Sequence, residues 1–105
     1  MKKSILNIGL AREGASDLNS AFVIELLEEV LPRGLLNFKV QRSDTEKTLV
    51  AEVATQDVPN PLLEALSVVL GQDCIAALDD GKTGRLVGPR AEAWAPFDSS
   101  QFLSL

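Results

Sequence analysis

The chain has no histidine, no tyrosine and a single cysteine, Cys74, in 105 residues. Without histidine, acid–base chemistry near neutral pH would fall to a carboxylate, lysine or thiol with a shifted pKa. One thiol excludes an intramolecular disulfide, and one thiol without histidine excludes a zinc knot. A lone cysteine suits a reducing compartment, so a cytoplasmic location is expected. Aromatic residues are also scarce: Phe22, Phe38, Trp94, Phe97 and Phe102. Most of the core must therefore come from Leu, Val, Ile and Ala.

Basic residues are few and scattered. Ten Lys or Arg against fifteen Asp or Glu leave a formal charge of -5. A phosphate backbone is repelled by such a surface unless its cations gather on one face, so nucleic acid is not an expected partner. No apolar run approaches the roughly 18 residues of a membrane-spanning helix, and no membrane partner is expected. The opening Met1, Lys2 and Lys3 resemble the start of a secretory signal. The apolar stretch after them is short, is broken by Asn7, and gives way to Arg12 and Glu13, which favours a first β-strand.

What remains is pattern. Residues 4–10 are almost continuously apolar, as in a strand with neighbours on both sides. Residues 18–31 carry Leu18, Phe22, Leu26 and Val30 at four-residue spacing, widened by Val23, Leu27 and Leu31, with Glu25, Glu28 and Glu29 opposite. This predicts an amphipathic helix capped by Ser16 or Asp17 and stopped by Pro32 and Gly34. Residues 35–42 and 48–55 alternate apolar and polar, and the short polar link between them predicts a hairpin. Asn60 as cap and Pro61 at the first helical position announce a second helix, with Leu62, Leu63, Leu66, Val69 and Leu70 inward and Gly71 at its end. Residues 74–78 and 85–87 form a further strand pair around a turn rich in Asp and Gly.

Two helices separated by a hairpin can lay their apolar stripes on one face of one sheet. Right-handed crossovers then give the order 4-1-3-2, with the short fifth strand beyond strand four. The expected fold is a single α+β domain over residues 1–105, a two-layer sandwich of the ferredoxin-like β-α-β-β-α-β kind with a mainly antiparallel sheet. Residues 89–105 form an aromatic tail, too apolar to hang in water, packed on the domain or on a partner.

Chemistry-bearing motifs are weak. Asp79 and Asp80 precede Gly81-Lys82-Thr83-Gly84, but the spacing fits neither a calcium loop nor a phosphate-binding loop. The position of the latter's first glycine holds Ala76, and no helix follows. Ser43, Asp44, Thr45 and Glu46 gather hydroxyls and carboxylates in one turn. With Asp79 and Asp80 they form a candidate ligand cluster at the sheet edge. Cys74 sits beside Asp73, whose charge opposes a thiolate, and reads as a core thiol. Arg85, Arg90, Trp94, Phe97 and Phe102 are the candidate partner-binding residues, since rigid aromatics anchor interfaces at small entropic cost. No catalytic residue, metal site or cofactor is indicated. The expectation is an interaction or regulatory module that contacts protein, either a second copy of itself or another chain. The alternative is a small-ligand-binding protein or a small enzyme using carboxylates at the sheet edge.

Overall fold

The computed structural model describes residues 2–12, 18–95 and 101–105. Five strands form one antiparallel sheet: β1 (Lys3–Arg12), β2 (Asn37–Arg42), β3 (Glu46–Ala54), β4 (Ile75–Asp79) and β5 (Thr83–Val87). The two helices are α1 (Ser20–Val30) and α2 (Asn60–Val69), and single 3-10 turns follow at Thr55–Asp57 and Ala91–Ala93. The strand order is β2-β3-β1-β4-β5, with β1 at the centre. Counted from the β5 edge, the strands run 5-4-1-3-2.

Strand alternation decides which residues meet the helices. In register, Leu6 faces Ala51 and Ala77, while Ile8 faces Leu49. These side chains share one buried cluster with Val23, Leu27 and Leu31 of the α1 region and Leu63, Leu66 and Leu70 of the α2 region. Both helices therefore contribute to one core on one side of the sheet. Side chains of opposite parity, among them Asn7, Val50 and Ala76, project from the back face.

The helices begin and end for identifiable reasons. The cap of α1 is Asn19, whose side chain accepts from the Phe22 amide at 3.1 Å. The caps expected from the sequence, Ser16 and Asp17, lie outside the described residues. Helix α1 ends before Pro32, and Gly34 follows with φ 61°. Helix α2 starts one residue earlier than a cap at Asn60 would imply: Pro59 is the N-cap and Asn60 lies inside the helix. Gly71, at φ 65°, turns the chain out of it.

The register of the α1 stripe also differs from the expectation. Val23 and Leu27 are fully buried, whereas Phe22 is 54% exposed and Val30 37% exposed. Rows 18-22-26-30 and 23-27-31 are neighbours on the helix surface, so periodicity alone could not rank them. The sheet meets the second row.

A β-bulge between Gly9 and Ala11 interrupts the β1–β3 ladder. Gly9 also permits close approach: a Cβ there would stand 2.9 Å from Gln72 Oε1. No helix among the described residues is long and apolar enough to cross a membrane.

Candidate functional site

Three places bear on function: the two ends of the sheet, its back face, and the outer edge of β2, which holds none of the residues singled out from the sequence. The first is the end of the sheet near Ser4. Arg85 Nη2 donates to Asp79 Oδ1 at 2.9 Å, while Arg85 Nη1 donates to the Val58 carbonyl at 3.0 Å and to Asn60 Oδ1 at 2.7 Å. Arg85 Nε lies 2.7 Å from Asp79 Oδ2 as an ion-pair contact, without hydrogen-bond geometry. The fully buried Ser4 hydroxyl is 2.6 Å from Asp79 Oδ1 and 2.9 Å from Thr55 Oγ1. Its one O–H donates to the carboxylate, leaving the Ser4 oxygen to accept from Thr55. Burial pushes the Asp79 carboxyl up, but hydrogen bonds from Arg85 and Ser4 and the charge of Arg85 outweigh it, and the pKa lies below the ordinary 3.8. Arg85 and Asp79 thus tie β4 and β5 to the start of α2. Their groups already hold each other, which suits structure more than ligand chemistry.

Ser43, Asp44, Thr45 and Glu46 lie at the other end. Arg12 pairs with Glu46, whereas Ser4 pairs with Asp79. Eight residues of strand separate the two groups, roughly 27 Å. The Ser43 amide donates to the Glu46 carbonyl at 2.8 Å, and the Glu46 amide donates to Ser43 Oγ at 3.1 Å. These bonds close a hairpin in which all four residues are exposed. Asp80, at φ 54°, and Gly81, at φ 70°, form the left-handed tip of the β4–β5 hairpin. Among the described residues no group of three or more Cys, Asp or Glu is placed to hold a metal ion.

The second place is the back face. The Leu103 amide donates to Asn7 Oδ1 at 2.8 Å, and Asn7 Nδ2 donates to the Leu103 carbonyl at 3.1 Å. The Phe102 ring lies so close to Gly84 that a Cβ there would meet it at 3.0 Å. These residues of the tail therefore cover the chain's own sheet. Trp94 Nε1 donates to Asp73 Oδ2 at 3.0 Å, with the side chain 41% exposed. The Arg90 amide donates to the Asp73 carbonyl at 2.9 Å. Phe97 lies outside the described residues. Between the tail and the sheet is a cavity of about 450 Å³, lined in part by Asn7, Thr48, Gln72, Cys74, Leu86 and Trp94. Cys74 sits in its wall with its pKa raised above 9.0, by burial first and by Asp73 second. A protonated thiol is a poor nucleophile at neutral pH.

The third place is the β2 edge, where the sequence had offered only a pattern. Strand β2 is bonded to β3 on one side and, among the described residues, has no strand neighbour on the other. Nearly every one of its residues is exposed. Phe38 stands opposite Ala51, hence on the helix-bearing face, yet it remains 44% exposed. The helical layer stops short of it. Leu36 is exposed beside it in sequence, as are Phe22 and Val30 on α1. The order expected from the sequence already put this strand outermost; what alternation could not show is that the helical layer leaves Phe38 uncovered.

The chain matches no protein-family model, no curated protein and no solved structure with which it was compared.

Proposed function

We propose that this protein is a small cytoplasmic interaction or regulatory module that acts by protein–protein contact through the outer edge of β2, pairing with itself or with another protein. One observation carries the reading: an outermost strand with a large aromatic, Phe38, 44% exposed on the face that elsewhere holds the core. An unpaired strand edge is a template for another strand, and main-chain hydrogen bonds supply much of such an interface. The architecture is proposed as a ferredoxin-like sandwich extended by β5, supported by the strand order and by the two helices that share one core.

The test is light scattering with the full chain across a range of concentrations. The expected result is a mass that rises toward twice that of the chain and returns to the monomer value in Phe38→Lys, which should stay folded because the side chain is exposed. A wild-type protein that neither self-associates nor captures a protein in a manner sensitive to Phe38→Lys overturns the reading.

A second reading rests on the cavity beneath the tail. Its volume of about 450 Å³ falls within the range of small-ligand pockets. Trp94 lines it and is the only tryptophan, so a ligand seated there should change the intrinsic fluorescence.

A further inference from the structure

The ladder between β2 and β3 fixes which backbone groups of β2 point outward. The Ser43 amide donates to the Glu46 carbonyl, and the register sets Arg42 opposite Lys47 and Gln41 opposite Thr48. In an antiparallel pair, hydrogen-bonded and non-hydrogen-bonded residues alternate. Counting back from Ser43, the groups of Gln41, Lys39 and Asn37 therefore turn toward β3, and those of Arg42, Val40 and Phe38 turn away. The Phe38 amide supports this: it bonds its neighbour's side chain, Asn37 Oδ1, at 2.9 Å instead of β3.

We infer that β2 pairs antiparallel with β2 of a second copy about a two-fold axis at Val40, setting Phe38 against Arg42 and Lys39 against Gln41. This rests on the reading of β2 as the contact edge and names its partner and register. Three facts select that register. It matches Val40 with Val40 and Phe38 with Arg42, so every outward residue of β2 meets another outward residue, for about six hydrogen bonds in all. It places no like charges opposite each other. The neighbouring alternative, centred on Lys39, sets Lys39 against Lys39 and leaves Arg42 beyond the matched residues. Finally, Phe38 and Arg42 project from the same face, so the guanidinium of one copy meets the exposed ring of the other, twice by symmetry. The Asn37 contact is on the surface and gives way when the second strand docks. Strand β2 is six residues long, so the strand-to-strand contact is at the small end of specific interfaces.

Lys39 and Gln41 of the two copies would form a non-hydrogen-bonded pair, with Cα atoms about 4.5 Å apart. That separation lies within disulfide range. In a Cys74→Ala background, Lys39→Cys and Gln41→Cys proteins are prepared separately, oxidised alone and mixed, then resolved without reductant and mapped by peptide mass. The expected result is a 39–41 cross-link in the mixture, at least tenfold faster than either protein alone. Preferential 39–39 or 41–41 cross-linking overturns the register while upholding the edge as the contact surface. A dimer by light scattering that cross-links in none of the three samples overturns β2 self-pairing. A chain that remains monomeric yet binds another protein through Phe38 also overturns self-pairing, and leaves the broader interaction reading standing.

Discussion

Replacing Arg85 with Ala removes one partner of a part-buried ion pair and, among the described residues, the side chain that joins Asp79 to the start of α2. The guanidinium makes three hydrogen bonds: to Asp79 Oδ1, the Val58 carbonyl and Asn60 Oδ1. Breaking a fully buried pair by removing one member costs about 3–5 kcal/mol. Here the two side chains are 21% and 19% exposed, so water reaches the site and the loss should be smaller, about 2–3 kcal/mol. For a domain of this size that corresponds to a melting point lower by about 8–20 °C. Urea unfolding at pH 7, followed by circular dichroism, measures it.

The pH dependence gives a second reading of the same pair. The pKa of Asp79 is depressed in the fold, so its contribution is present above the unfolded carboxylate value. It fades as pH falls from the ordinary 3.8 toward the lower folded value. The gap between wild type and Asp79→Asn should therefore narrow in acid over that window. An Arg85→Ala protein within about 0.5 kcal/mol of wild type at neutral pH would refute the reasoning, since that is the scatter of ordinary surface substitutions.

Two further expectations are checked more simply. Cys74 should react with iodoacetamide well below the rate of free glutathione at pH 7.5, and unfolding in urea should abolish the difference; equal rates in the folded protein would contradict a thiol held neutral by burial and by Asp73. Gly88→Ala should destabilise by about 2 kcal/mol or more, because its Cβ would stand 2.5 Å from both the Asp73 carbonyl and Cys74 Cα, which are backbone atoms that cannot step aside. An unchanged urea midpoint would contradict it.

Much of this architecture was written locally. Alternation in β2 and β3, the polar turn between them, and Pro61 with Gly71 around α2 are short-range signals, and each became the expected element. The misplacements came from long-range geometry. Phe22 belongs to as good a helical row as Val23, and only the sheet beneath decides which row is buried. Asn60 has the chemistry of a cap, but Arg85 arrives from β5 and occupies its side-chain oxygen. Nothing local in the sequence marks Asp57, which is buried and accepts from both the backbone amide and the guanidinium of Arg33. The two acidic clusters looked like one site only while their places on β1 were unknown. The expected order placed β2 at the edge, but that Phe38 stays exposed there depends on how far the helical layer reaches, which no local pattern records.

The central position of β1 has a kinetic consequence. Ser4 pairs with Val53 on one side and with Asp79 on the other, so the middle of the sheet waits for segments distant along the chain. The β2–β3 and β4–β5 hairpins, closed by short turns, can form within microseconds and idle as separate pieces. Closing β1 between them joins segments about fifty and seventy-five residues apart, and such non-local closure belongs to the slower folders among small domains.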